Sequence, residues 1–230
     1  MKILIIDTCG STGSIALADG SAIVGSVSLP GRTASERLVA TIKDLAASTG
    51  VGLQSLDAVV AVHGPGSFTG VRVGLSAAKG LCEALNLPLV AISRFAVLAH
   101  LAEPASGVRV QALFDAGRGE FYSGIYVDGT CVGEGLKTRD EVVAGVRDVE
   151  VPLVVVACEA VVAQSIAELA PRLLAEPAAE DAFPLALDRI ERGKFDDVAT
   201  IDANYLRRTD AEIFAKPTPA AIHQPETHTR

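Results

Sequence analysis

Residues 59–80, VVAVHGPGSFTGVRVGLSAAKG, hold the groups of this chain best placed to do chemistry: a β-branched strand runs into a glycine-rich loop that opens onto a helix. Gly64, Gly66 and Gly70 allow backbone angles and close approaches that a Cβ forbids. The N–H groups at the helix start carry a partial positive charge, so the loop is built to meet an anion such as phosphate. It has neither the GxxxxGK[ST] order nor GxGxxG, and the competing reading is a tight strand-to-helix turn that binds nothing. Ser67 is the one tempting nucleophile, but at a helix start its place is that of an N-cap or a phosphate contact. Candidates for meeting a nucleotide or other anion are Asp7, Thr8, Gly64, Gly66, Ser67, Phe68, Thr69, Gly70, Arg72 and Asp115.

The elements that must position these residues repeat. Residues 2–28 read as strand, turn, strand, the turn Asp19-Gly20, and strand; residues 108–136 read the same way around Asp128-Gly129. Each first strand ends in an aspartate, Asp7 or Asp115. Helical material and a buried strand follow each meander: helices over 35–48 and 69–85 around a strand over 56–62, then a strand over 88–93 and a helix over 95–102. In the second half, helices over 140–146 and 160–170 flank a strand over 152–157. Three antiparallel strands followed by alternating helix and strand, made twice, is the layout of the actin, Hsp70 and sugar-kinase (ASKHA) superfamily. The expected architecture is therefore α/β, two lobes each built on a βββαβα-type unit. Residues 1–103 form the first actin-like lobe with the glycine-loop helix, 104–215 a smaller second one, and 216–230 a disordered tail. In that fold ligands sit between the lobes, and Asp7 and Asp115 stand where actin-like ATPases keep the carboxylates that organise magnesium. The alternative for each is an acidic strand end that caps the following turn.

Composition narrows the partners. With 49% hydrophobic and 21% charged residues over 230 positions, the chain can bury a core. Its net charge of −8, from 20 basic and 28 acidic residues, is wrong for a protein that holds nucleic acid by itself. No apolar run approaches the length needed to cross a bilayer, and the start MKILIIDTCG is too short for a signal h-region, so no membrane association and a cytoplasmic location are expected. Cys9, Cys82, Cys131 and Cys158 lack any CxxC pairing and read as buried small residues. His63 is the one histidine beside the loop, either a site residue or a plain loop residue.

The two long helices of the first half carry more apolar surface than one sheet requires. Val71, Leu75, Ala78, Cys82 and Leu85 make one stripe, Leu38, Ile42 and Leu45 another, and Val73, Ala77, Gly80 and Ala84 add a second, small-residue face. Leu38, Ile42, Val71, Leu75, Ala77, Ala78, Gly80 and Cys82 are accordingly the candidates for a helix-helix partner interface, the alternative being that the second lobe covers them.

The stretches ILIIDTCGSTGSIAL, ASERLVATIKDLAASTG, VVAVHGPGSFTGVRVGLSAAKGLCEALNLPLVAISRFAVLA, FDAGRGEFYSGIY and NYLRR, in this order, resemble the bacterial TsaB family, also called YeaZ. The match is strong over residues 2–126, weak over 127–198, and returns at 204–208. The resemblance implies a non-catalytic scaffold or activator subunit of the machinery that forms N6-threonylcarbamoyladenosine next to the anticodon of tRNAs. It implies binding to a TsaD-like catalytic paralogue and a TsaE-like ATPase, a homodimer when alone, and contact with tRNA only through the complex. No cofactor is required, with weak adenine nucleotide binding at or near the partner interface. No metal is expected either: the helix beginning Ala34-Ser35-Glu36-Arg37-Leu38 lacks the paired histidines of a metal-holding relative, and Ala34 stands where many TsaB sequences keep one histidine. No Ser/His/Asp set supports the old glycoprotease label, so no catalytic residue is assigned. The competing function is a stand-alone ATP-dependent phosphotransferase or ATPase of the same fold, whose relatives are longer and carry further glycine-rich nucleotide motifs.

Overall fold

The computed structural model describes residues 1–30, 34–147 and 151–206. The tail 216–230 and the last two residues of the NYLRR stretch lie outside them.

Strands β1 (Lys2–Asp7), β2 (Thr12–Asp19), β3 (Ala22–Pro30), β4 (Ala58–Val62) and β5 (Leu89–Ile92) form one sheet in the order β3-β2-β1-β4-β5. Strands β6 (Arg109–Gly117), β7 (Glu120–Val127), β8 (Thr130–Thr138), β9 (Leu153–Ala157) and β10 (Arg172–Leu173) form a second in the order β10-β9-β6-β7-β8. The two orders are one topology used twice: each central strand runs antiparallel to the next strand in sequence and parallel to the fourth of its set. The duplication expected from the meanders is therefore present in three dimensions, and with the lobed α/β layout it defines the actin-like fold. Asp128 and Gly129 both have positive φ (47° and 73°), the left-handed pair that a two-residue hairpin turn needs.

Helices α1 (Ala34–Thr49) and α2 (Phe68–Leu85) pack on each other and on the first sheet. β4, AVVAV, is buried at every position, as a strand covered on both faces must be. The second cover comes from far along the chain. A 3₁₀ turn at Ala179–Ala182 and helix α6 (Phe183–Glu191) return to the first sheet, where Ala179, Ala182, Phe183 and Ala186 join its core. Conversely α3 (Arg94–Leu101) leaves the first sheet to pack on the second, where Phe95 lies against Phe114 at 5.4 Å between ring centroids. Gly124 makes room for it, since a Cβ there would stand 2.5 Å from the Phe95 ring. Helices α4 (Arg139–Arg147) and α5 (Ala160–Ser165) pack on the second sheet.

Two expectations are corrected and one element is added. The helix read over 160–170 stops at Ser165, where Ile166 leaves helical geometry (φ −123°, ψ 31°), and continues only as a 3₁₀ turn, Ala167–Leu169, that ends at the left-handed Ala170 ahead of Pro171, where α geometry is disfavoured. Helix α6 has no counterpart in the sequence reading. Of the four cysteines, only Cys9 and Cys82 are buried; Cys131 lies exposed on β8, at the edge of its sheet.

Candidate functional site

The β1–β2 turn and the glycine loop close on each other at the carboxyl end of the first sheet. The Thr8 hydroxyl donates to the Gly70 carbonyl at 2.6 Å, Ser67 N–H donates to the Cys9 carbonyl at 2.8 Å, and the Cys9 thiol lies 3.2 Å from the Val62 carbonyl. The glycines are what permit this. A Cβ on Gly66 would sit 2.2 Å from the Cys9 carbonyl oxygen, one on Gly70 2.1 Å from that of Thr8, and one on Gly74 2.2 Å from Thr8 Oγ1. These contacts are with backbone or a buried side chain, so the spacing Gly66, Gly70, Gly74 is first a packing device that seats α2 against the turn. Gly64 takes φ 108°, open only to glycine, and precedes a cis Pro65. Ser67 caps α2, its Oγ accepting from Gly70 N–H at 3.2 Å.

Each strand-end aspartate caps its turn. Asp7 Oδ1 accepts from Cys9 N–H and Asp115 Oδ1 from Gly117 N–H, both at 2.8 Å and both two residues ahead. The equivalence ends there: Asp7 is buried and Asp115 is exposed. Burial raises the Asp7 pKa above its ordinary value, and the charge of Arg94 only partly offsets this.

Between the sheets lies a cleft of about 370 Å³ lined by the turn (Cys9, Gly10, Ser11), the loop (Gly66, Ser67), Arg94, and Phe114, Asp115, Tyr122 and Glu159 from the second half. Arg94, which sequence reasoning did not single out, is its central charge. It is 2% exposed, its guanidinium lies 4.3 Å above the Phe114 ring and 3.0 Å from Glu176 Oε1, and its N–H donates to the Gly64 carbonyl at 2.7 Å. Glu176 in turn accepts from the N–H and hydroxyl of Ser11, both at 2.7 Å. Burial works against the charge of Arg94, but Asp7, Cys9, Cys158 and Glu176 outweigh it and leave its pKa raised. Arg94 was detectable as the sole charged residue in the apolar helix RFAVLAHL, whereas Glu176 has no local signal. A second inter-sheet carboxylate, Glu134 on β8, accepts from Ser93, Tyr126 and Asn204. Among the described residues no group of three or more His, Cys, Asp or Glu is placed to hold a metal ion. Burial lowers the pKa of His63, and its Nδ1 lies 3.3 Å from the Asp202 carbonyl, to which the Nδ1–H tautomer donates.

The outer side of α2 carries a different cluster. Phe68 (48% exposed) and Tyr205 (41%) stand 5.6 Å apart, with the Arg72 guanidinium 3.7 Å above the Phe68 ring and its Nε donating to the Tyr205 hydroxyl. The expected partner surface is corrected by burial. Leu38, Ile42, Val71, Leu75, Ala78 and Cys82 all belong to the core of the first sheet and are closed to any partner. Of that set only half-buried Ala77 and exposed Gly80 remain accessible, beside Ser76 and Ala84 on α2 and Val39 and Ala40 on α1. The stripe identified the core, and the small-residue face is what lies outward.

The comparisons agree with this architecture. A family model described as TsaD, tRNA N6-adenosine threonylcarbamoyltransferase, matches residues 28–145. The Escherichia coli protein named tRNA threonylcarbamoyladenosine biosynthesis protein TsaB is 35% identical over 123 residues, 53% of each chain, and its Bacillus subtilis namesake 34% over 127 residues, 55% of each. The chain thus spans about half the length of the curated relatives it matches. A Pseudomonas aeruginosa structure described as similar to peptidase YeaZ superposes with a TM-score of 0.73 at 28% identity, covering 90% of this chain and 99% of that one. A second, titled YeaZ from the same organism, gives 0.70 at 27%, covering 88% and 100%. This is a protein of the actin-like class. The chain belongs to the TsaB (YeaZ) family, whose kinship with TsaD the family model records.

Proposed function

We propose that this protein is a non-catalytic subunit of the system that forms N6-threonylcarbamoyladenosine in tRNA, serving as scaffold and activator of a TsaD-like paralogue in concert with a TsaE-like ATPase. The observation that carries this reading is the contrast between the two faces of the site. On the inward face the glycines, Ser67 and Asp7 are occupied in holding the β1–β2 turn, the loop and the helix together, and Asp115 caps its own turn. The outward face of α2 offers small residues and the exposed Phe68–Arg72–Tyr205 cluster. Aromatic and arginine side chains are the residue types that dominate protein–protein hot spots, and small residues let helices approach closely. The same surface serves a homodimer when the chain is alone and the paralogue when it is present. Adenine nucleotide binds weakly beside this surface, where Phe68 and Tyr205 supply ring faces and Arg72 a cation. With a net charge of −8, tRNA is held by the assembly and not by this chain. Because its substrate system is tRNA, the role is a cytoplasmic one; among the described residues no helix is long and apolar enough to cross a membrane.

The test is co-purification with the TsaD-like paralogue, followed by sedimentation of each protein alone and mixed. One-to-one pairing that displaces the homodimer is expected; two proteins that sediment independently would remove the basis for the proposal.

A further inference from the structure

We propose that Glu134 is a positioning residue for the outward surface of α2: it fixes Asn204 from the second sheet, and through Asn204 it holds Tyr205 in the cluster with Phe68 and Arg72. This role rests on reading that surface as the association face. Glu134 is half-buried on β8, and among the described residues three side chains donate to its carboxylate. Ser93, the N-cap of α3, donates to Oε1 at 2.7 Å, Tyr126 of the neighbouring strand β7 donates to the same oxygen, and Asn204 Nδ2 donates to Oε2. All three donors are neutral, and hydrogen bonds to an ionised carboxylate are stronger than those to a neutral acceptor. One side chain thus ties together the end of the first sheet, the edge of the second, and the segment that follows α6.

The segment over 196–205 reaches that point by crossing the first lobe. Asp196 accepts from Ala91 N–H on β5 at 2.7 Å, Lys79 of α2 donates to the Ile201 carbonyl at 2.9 Å, Ala203 enters the core of the first sheet, and Asn204 N–H donates to the His63 carbonyl at 2.8 Å. Beyond Ala203 the side chains part. Asn204 turns to Glu134, Leu206 packs among the apolar residues of the second sheet, and Tyr205 between them faces α2, where its ring lies against Phe68 and its hydroxyl accepts from Arg72. The direction of the Tyr205 ring is therefore set by the residues on either side of it, and both are held by the second half of the chain. Tyr205 itself is exposed, so no core fixes it. With Glu134 truncated, the Asn204 amide loses its carboxylate partner, and the ring gains rotamer freedom that association must then remove.

Tyr122, Tyr126 and Tyr205 are the three tyrosines of the chain, so fluorotyrosine labelling of the full chain gives three fluorine resonances, and Tyr205→Phe identifies the one that matters. Glu134→Ala and Asn204→Ala should each move the Tyr205 resonance toward its position in the unfolded chain while thermal unfolding stays cooperative. If Glu134→Ala does not fold, Asn204→Ala carries the same reading. Glu134→Gln should keep the wild-type resonance, because its amide oxygen still accepts from Ser93 and Tyr126 and a turned Asn204 amide accepts from its NH2. Calorimetric titration against the TsaD-like paralogue should then find Glu134→Ala about tenfold weaker than wild type, with no further loss when it is added to Tyr205→Ala. A wild-type protein that does not bind the paralogue would remove the reading of the surface, and the fluorine resonances alone would then decide the positioning. A Tyr205 resonance unmoved in both alanine variants overturns the proposal, and so do additive losses of affinity for Glu134→Ala and Tyr205→Ala.

Discussion

Thr8 and Gly70 are joined more closely than any side chain on residue 70 would allow: the Thr8 hydroxyl donates to the Gly70 carbonyl at 2.6 Å, and a Cβ on Gly70 would stand 2.1 Å from the Thr8 carbonyl oxygen. Gly70→Ala should therefore cost about 1–3 kcal/mol or more, the cost of overpacking against backbone that cannot yield. Ser67→Ala should cost about 0.5–2 kcal/mol, a lost helix cap. Gly80→Ala, on the same helix but with open space at its Cβ position, should gain about 0.5–1 kcal/mol. Urea denaturation of the three variants checks the order; equal effects at 70 and 80 would deny that the loop glycines are packing residues.

Burial separates two substitutions on α2 that sequence periodicity treats alike. Ala78 is 0% exposed in the first sheet's core, so Ala78→Glu should bury an unpaired carboxylate and unfold the chain at a cost of several kcal/mol. Gly80→Glu should leave the circular dichroism unchanged, should not lower the melting temperature, and should weaken association. A folded, monomeric Ala78→Glu protein would restore the buried stripe as the interface.

Truncating the outer cluster should affect binding more than folding. Phe68→Ala is expected to cost about 2 kcal/mol or more of partner affinity, as a hot-spot aromatic does, while stability changes by less than about 1 kcal/mol because the ring is 48% exposed. Calorimetric titration against the paralogue, paired with a thermal melt, measures both.

Asp7 gives a pH signature. Its folded pKa is raised above 3.8 by burial, with Arg94 opposing, so between those two values the folded state holds a proton that the unfolded state releases. Its contribution to stability is full below pH 3.8 and is lost as pH rises through the raised value. Asp7→Asn should abolish that downward contribution, and denaturation midpoints of the two proteins compared from pH 4 to 7 should diverge in favour of the variant as pH rises. Parallel curves would place the titration elsewhere.

How much of this was legible in the sequence follows from the range of each signal. The duplicated meanders, the Asp-Gly turns and the helix capped by Ser67 are local, and the strands and caps lie within a residue or two of where pattern puts them. What failed depended on distant partners. The stripe through Leu38, Ile42, Leu75 and Ala78 gives the apolar face without saying what covers it, and the structure uses it inside. The return of α6 to the first sheet, and the meeting of Arg94 with Glu176 across 82 positions, leave no periodic trace.

Reconstituted tRNA modification with each subunit left out in turn tests the central claim most directly. The complete set should form N6-threonylcarbamoyladenosine, this chain alone should form none, and its omission should reduce the product by at least an order of magnitude even when the TsaD-like and TsaE-like proteins are abundant. Undiminished modification in its absence, or transfer catalysed by this chain alone, would contradict the account.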